Sequence, residues 1–115
     1  AMSYVVAPFE VCAKALAAPV RVRFVHLLSG IATRHSDTID CSFLVDGHKV
    51  VVAISCATLS ALRDDKKKCW SDPQLAEIAA RFLRRTLEGG YDPTETELRL
   101  GDAPLRDLAR ELGYL

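Results

Sequence analysis

The chain has 115 residues, and 50% of them are hydrophobic, which is enough for one packed domain and argues against intrinsic disorder. Its 15 basic and 15 acidic residues cancel, so no global charge attracts nucleic acid or an anionic membrane. No apolar run approaches the ~20 residues of a spanning helix, and the N-terminus shows no signal-peptide pattern. We therefore expect a single domain over residues 2–115, located in the cytoplasm and not in a membrane.

The first part of the chain predicts a helix followed by a strand. Residues 8–18 (PFEVCAKALAA) carry apolar side chains at helical spacing after Pro8, a residue that suits the first turn of a helix. Residues 20–28 alternate and are rich in β-branched side chains, which predicts a strand in which Val20, Val22 and Phe24, or the opposite set from His26 on, point one way. The polar residues 31–38 favour a loop or a ragged continuation of that strand.

The strongest local signal is a β-hairpin over residues 39–54. Apolar residues alternate on both sides of Asp46-Gly47, which suits a type I′ turn because both of its central residues need positive φ. Such a turn puts four cross-strand pairs on one face, and that almost wholly apolar face fixes the register. The predicted pairs are Val45 with His48, Phe43 with Val50, Cys41 with Val52, and Ile39 with Ile54.

Three helices and one further strand are predicted after the hairpin. The first helix leads into the charged loop 64–68, and the second ends at Gly89-Gly90. Residues 94–100 (TETELRL) alternate and predict a short edge strand. The expected capping residues are Ser55 for the first helix, Ser71 or Asp72 for the second, and Asp102 for the last.

The predicted order of elements is therefore α-β-β-β-α-α-(β)-α. Short turns join the neighbouring strands, so consecutive strands should be antiparallel. We expect an α+β fold with a mainly antiparallel sheet of three to four strands and the helices packed on one face.

Metal and cofactor sites are not expected. The four cysteines form no Cys-x-x-Cys pair, so we expect reduced and mostly buried thiols. His35, Cys41 and His48 are the only loose group of metal-ligating residues, but the hairpin register separates Cys41 from His48 by roughly 13 Å. Zinc ligands lie ~2 Å from the ion. No glycine-rich loop precedes a helix, which excludes the usual dinucleotide and phosphate motifs.

Cys56 is the candidate catalytic nucleophile. It should be the first helical residue after a strand, where the helix N-terminus stabilises a thiolate and backbone N–H groups can bind an oxyanion. His26 or His48 could act as its base, although no motif supplies an acid that would orient either histidine. We favour a small packed cysteine over a catalytic one, and a cysteine-dependent enzyme is the third of our three hypotheses.

Two groups of basic residues could contact nucleic acid, because phosphate contacts need clustered cations. The smaller group is Arg21 and Arg23, on one face of a strand. The larger group has a simpler interpretation. It could be the solvated face of a helix whose acidic side chains offset the positive charge. The larger group comprises Lys66, Lys67, Lys68, Arg81, Arg84 and Arg85.

The run SFLVDGHKVVVAISCATLSAL, from Ser42 to Leu62, resembles a small bacterial family catalogued as a domain of unknown function. Members show a strand, a VDG turn, a strand, an IS step and a helix with a buried leucine. A helix with a phenylalanine and basic residues follows, as in Ala79-Ala80-Arg81-Phe82. The family usually has an acidic residue where this chain has Thr58, and the resemblance leaves out the predicted first and last helices. It implies a small cytoplasmic α+β protein and carries over no catalytic residue.

The leading hypothesis is a non-enzymatic binding or regulatory module. A neutral domain with few catalytic candidates and no cofactor motif fits that class. The edge strand predicted at 94–100 could pair with a second copy of the chain, so we expect a homodimer. The alternative is a nucleic-acid-associated regulator that uses the arginine-bearing helix. Besides a second copy of the chain and a nucleic acid, we consider another protein as a candidate binding partner.

Overall fold

The computed structural model describes residues 6–28, 38–94 and 96–115. Within those residues the chain forms five strands and three helices, which confirms the predicted α+β class but not the predicted number and order of strands. The loop predicted at 31–38 lies outside the described residues, apart from Thr38. The elements are β1 (Phe9–Ala13), β2 (Ala18–Leu28), β3 (Thr38–Val45), β4 (His48–Ser55), α1 (Cys56–Lys66), α2 (Asp72–Glu88), β5 (Glu97–Leu100) and α3 (Asp102–Glu111).

The five strands form one mixed sheet in the order β1-β2-β3-β4-β5. The first four are antiparallel neighbours, which includes the three consecutive strands predicted between residues 20 and 54, whereas β5 runs parallel to β4. α1 and α2 supply the long crossover that a parallel pair of strands requires. The predicted edge strand is therefore present, and its direction makes the sheet mixed.

The N-terminal segment is a strand, and the prediction of a helix over residues 8–18 is wrong. Alternate side chains of β1 are buried, with Val11 5% and Ala13 0% exposed, whereas Cys12 between them is exposed. Leu16, which helical spacing would place in the core, is 49% exposed in the following turn. β1 pairs with β2 along its whole length, so tertiary pairing overrides the helical tendency of this alanine-rich segment.

The hairpin over residues 39–54 is confirmed in its turn and in its register. Asp46 and Gly47 have φ angles of 48° and 85°, both positive as a type I′ turn requires. All four predicted cross-strand pairs are present. In β2 a bulge between Phe24 and His26 shifts the pairing with β3, which matches the alternative in which the alternating set changes from His26 on.

The helices pack on one face of the sheet, as predicted. α2 contacts β1, β2, β4 and β5, and therefore lies across the sheet, while α3 packs against α2. Phe43 is fully buried beneath them and meets Phe24 edge to face, with 5.5 Å between the ring centroids. The other face of the sheet carries Arg21 and Arg23 on β2, and Arg23 lies in register with Leu44 on β3 and Lys49 on β4.

Two of the predicted helix caps are confirmed and one is corrected. The Ser55 hydroxyl accepts from the Thr58 backbone N–H at 3.4 Å, and Ser71 caps α2 in a reciprocal capping box with Gln74. At α3 the capping position belongs to Gly101, which has no side chain to accept a bond. Asp102 is instead the first helical residue, and its carboxylate accepts from Arg106 Nε at 3.0 Å. No described helix is long and apolar enough to cross a bilayer.

Candidate functional site

A cleft opens where α1, the segment that follows it and the start of α2 meet the end of β3. We refer to it as the α1–α2 cleft. Its volume is about 330 Å³, which lies within the range of small-molecule sites. Its walls are largely apolar, with polar side chains from α1 and from the following segment. The cleft is lined by Ile39, Cys56, Leu59, Ser60, Arg63, Lys68, Cys69, Trp70 and Leu75.

One face of α1 forms a wall of the cleft. The lining positions on this helix are i, i+3, i+4 and i+7, the spacing that places side chains on a single helical face. Ser55 ends β4 and caps α1, so the strand aims the helix, and Leu62 holds it to the core at 1% exposure. The four lining residues from α1 are Cys56, Leu59, Ser60 and Arg63.

Trp70 forms another wall, and the C-terminal residues hold it in place. Its indole Nε1–H donates to the backbone carbonyl of Tyr114 at 3.2 Å. The Tyr114 hydroxyl donates to the carboxylate of Glu77 on α2, and this hydrogen bond raises the pKa of Tyr114. The chain turns back from α1 towards Trp70 at Lys67, which adopts a left-handed conformation with φ of 56°.

The charged side chains among the described lining residues are both cations, Arg63 and Lys68. Arg63 Nη2 donates to the Ser60 hydroxyl at 3.0 Å. Its ion pair with Asp64 is long, at 3.9 Å, and joins side chains that are 62% and 74% exposed, so solvent screens it strongly. Lys68 has no ion-pair partner within 4.0 Å among the described residues. The lining is therefore apolar with a positive rim.

Cys56 begins α1 as predicted, but neither histidine proposed as its base lies near it. His48 begins β4 and Ser55 ends it, a separation of ~23 Å at the rise of a strand. His26 lies on the sheet face opposite the cleft. His35 falls outside the described residues. The two described histidines that the hypothesis names as bases therefore lie away from Cys56, and the cysteine-enzyme hypothesis stays a prediction.

The larger basic group is distributed over α1, α2 and the segment between them. Lys66 ends α1, and Lys67 and Lys68 follow it, where cations interact favourably with the helix dipole. Arg81 lies ~14 Å along the axis of α2 from Asp72, so the arginines begin more than two turns away from that end of the helix. The lysines thus lie before the start of α2 and the arginines in its second half, and their joint role in binding stays a prediction.

Two of the three predicted arginines on α2 contact other side chains. The Arg84 guanidinium lies over the ring of Phe9, 5.5 Å from its centroid. Arg85 Nη2 donates to both carboxylate oxygens of Glu111 on α3, at 2.7 and 2.6 Å. This hydrogen bonding raises the pKa of Arg85 and lowers the pKa of Glu111. Both contacts help α2 to pack, and nucleic-acid binding stays a prediction.

The smaller basic group lines a second hollow, on the sheet face opposite the helices and beside the Asp46-Gly47 turn. Arg21 and Arg23 border it together with Leu44, Asp46 and Gly47, and its volume is about 270 Å³. The Asp46 carboxylate accepts from the backbone N–H of Arg21 at 2.8 Å. A carboxylate in the lining offsets the two arginines, so this hollow is less favourable to an anion than the α1–α2 cleft.

Cys41 is fully buried beneath the helices. Burial, with smaller contributions from the charges of Asp40 and Asp72, raises the pKa of its thiol to about 12. Such a thiol is protonated and unreactive at neutral pH. Among the described residues no three His, Cys, Asp or Glu side chains lie close enough together to hold a metal ion.

No protein-family model, curated protein or solved structure matches the chain. The resemblance of Ser42–Leu62 to a bacterial family therefore stays a prediction. The function has to be inferred from the residues that the fold brings together.

The sequence names several of these residues without grouping them. Cys56 is predicted as a nucleophile and Lys68 as a phosphate contact, and the structure places both in one lining. One signal for this lining is the helical spacing of the residues from Cys56 to Arg63. They share one face of α1, and that face mixes small, apolar and charged side chains. Trp70, the sole tryptophan, is the second signal, because it follows a charged loop in which a large aromatic side chain needs a packing partner.

Proposed function

We propose that the protein is a small non-enzymatic binding module whose ligand site is the α1–α2 cleft. The observation that supports this most strongly is a concave lining of about 330 Å³ in which apolar walls converge on a few polar side chains. Small-molecule sites have this composition, with apolar area for affinity and few polar groups for orientation. A cytoplasmic location, as expected from the sequence, is part of the proposal.

Binding accounts for this lining better than catalysis does. A cysteine hydrolase or transferase needs a base within hydrogen-bond reach of its thiol. His26 and His48 lie far from Cys56, as described above. The other hydroxyl and cationic groups of the cleft, Ser60 and Arg63, already bond to each other at 3.0 Å. These groups can hold a ligand, and they form no nucleophile–base pair.

The sole tryptophan provides a label-free assay, because Trp70 is itself a wall of the cleft. A library of fragments should contain compounds that change Trp70 fluorescence in a saturable way. Ser60→Phe places a ring in the cleft and should abolish those responses, while Ser60→Ala should preserve them. Saturable binding that Ser60→Phe leaves unchanged, or a library without any saturating compound, would contradict the proposal.

We also propose that the module forms a homodimer through the outer edge of β5. No described strand pairs with that edge. The Val51 N–H donates to the Thr96 carbonyl at 2.8 Å, and alternate residues of β5 bond to β4, so the backbone N–H of Arg99 points away from the sheet. Exposed edges of this kind pair readily with another chain.

Light scattering after size exclusion tests the dimer. The wild-type chain should have twice its monomer mass of 12.6 kDa. Arg99→Pro removes the outward N–H without removing a bond to β4 and should yield a monomer. Arg99→Gln retains that N–H and should stay dimeric. A monomeric wild-type chain would show that the proposed self-association is wrong.

A further inference from the structure

We infer that the ligand of the α1–α2 cleft is a small amphipathic anion, with a flat or aliphatic apolar body and one carboxylate, sulfonate or similar group. This inference rests on the proposed function and adds the chemical class of the ligand. The apolar body would lie against Trp70 and the aliphatic side chains. The anionic group would lie at the rim formed by Arg63 and Lys68.

The apolar part of the lining indicates the chemical character and the size of the ligand's apolar body. Ile39, Leu59 and Leu75 surround the cleft with aliphatic surface, and Trp70 adds an aromatic wall whose polar edge is already bonded to Tyr114. The indole therefore offers its apolar surface to the cleft and keeps its N–H satisfied. A volume of about 330 Å³ corresponds to roughly eleven waters at ~30 Å³ each, which suits one or two rings or a short acyl chain.

The charge of the lining side chains indicates that the ligand is negatively charged. Among the lining residues that the structure describes, Arg63 and Lys68 are the only Lys, Arg, Asp or Glu side chains, so the described lining carries cations and no carboxylate. The Asp64 carboxylate is 3.9 Å from Arg63, too far for a hydrogen bond, so the hydrogen bond of this guanidinium is the one from Nη2 to the Ser60 hydroxyl. A planar guanidinium binds a carboxylate or sulfonate through two parallel hydrogen bonds, and the Lys68 ammonium would add a second cation.

Neutral and cationic ligands fit this arrangement less well. A neutral ligand would gain the apolar contacts but would leave both cations to solvent. A cation would face two like charges at the rim, which disfavours it. The Ser60 hydroxyl, bonded to Arg63 at 3.0 Å, can turn to donate to the same anion. The lining thus distinguishes ligands by charge as well as by shape.

A matched pair of fluorescent probes tests the inference. 8-Anilinonaphthalene-1-sulfonate and N-phenyl-1-naphthylamine share one ring system and differ by the sulfonate. Both should quench Trp70 by energy transfer. We expect the anionic probe to bind with a Kd about tenfold lower than that of the neutral probe, since two partly exposed charge contacts together contribute on the order of a factor of ten. Added salt should reduce the difference.

Charge variants supply the control. Arg63→Gln combined with Lys68→Gln should bring the two Kd values within about twofold of each other, because the fold-change comes from the rim cations. Lys49→Gln combined with Arg99→Gln removes the same net charge from the strands β4 and β5 and should leave the tenfold difference in place. All of these side chains are exposed or at the rim, and thermal unfolding of each variant confirms that it folds.

The outcomes separate the inference from the proposed function. If both probes bind equally well and Ser60→Phe abolishes both, the cleft is a ligand site and the anionic class is wrong. If neither probe nor any fragment binds the cleft, the proposed function itself fails. Preferential binding of the anionic probe that survives loss of Arg63 and Lys68 also overturns the inference, since the charge would then be recognised elsewhere.

Discussion

Replacing Gly47 by alanine should lower the free energy of unfolding by about 1 kcal/mol, and the structure specifies why. An added Cβ would meet no atom within 4 Å, so the change causes no steric clash with neighbouring residues. Gly47 has φ of +85°, however, and a left-handed conformation costs an L-residue roughly 1–2 kcal/mol. Reduced freedom of the unfolded chain offsets roughly 0.4–1 kcal/mol of that cost.

Urea unfolding followed by Trp70 fluorescence measures this effect. The midpoint should fall while the slope m stays constant, and Tm should fall by about 4 °C for a chain of this size. Gly47→Asn is the matched control, because asparagine tolerates positive φ and should cost less than half as much. Equal costs for alanine and asparagine would refute the backbone-strain argument. An alanine variant as stable as wild type would show that the hairpin does not turn through a positive-φ residue.

Four further predictions concern an ion pair, the cysteines, a helix cap and the nucleic-acid hypothesis. The hydrogen bond from Arg85 lowers the pKa of Glu111. The stabilisation that this ion pair gives should therefore be present above the ordinary glutamate pKa of 4.5, and it should be lost as the pH falls through the lowered pKa of Glu111. The difference in urea midpoint between wild type and Glu111→Gln should therefore shrink between pH 7 and pH 3. Cys41, with a thiol pKa raised to about 12, should resist alkylation until the chain unfolds, whereas Cys69 should react in the native state. Ser71→Ala should cost about 1 kcal/mol in urea unfolding through loss of the capping box. Binding of DNA or RNA at low salt, abolished by glutamine at the α2 arginines, would support the nucleic-acid alternative, and its absence would remove that hypothesis.

Local chemistry explains which elements the sequence predicts well. The turn at Asp46-Gly47 and the capping box at Ser71 each depend on residues within four positions of one another. Such signals do not require knowledge of the rest of the fold.

Tertiary pairing explains what the sequence does not predict. The segment 8–18 is rich in alanine and could satisfy either a helical or an alternating pattern. Its strand is selected by β2, which buries Val11 beside Val20 and Ala13 beside Ala18. The parallel direction of β5 likewise depends on the path of two helices, which no local pattern in the segment 97–100 encodes.

The α1–α2 cleft could be predicted only in part, for the same reason. The face of α1 follows from the spacing of Cys56 and Arg63, which are a fixed seven positions apart on one helix. Its meeting with Trp70 depends on the left-handed turn at Lys67 and on the contact between the indole and Tyr114, which are far apart in sequence. Clefts that form between elements in this way leave only scattered signals in the chain.

Mapping of backbone amide shifts in ¹⁵N-labelled protein, during titration with 8-anilinonaphthalene-1-sulfonate, is the measurement that tests the central claim most directly. We predict saturable shifts at Cys56, Ser60 and Arg63 on α1, at Trp70, and at its indole N–H. Residues on the sheet face opposite the helices, such as Arg23, should not shift. Shifts centred on that face, or spread without saturation over the whole chain, would contradict the claim that the α1–α2 cleft is the ligand site.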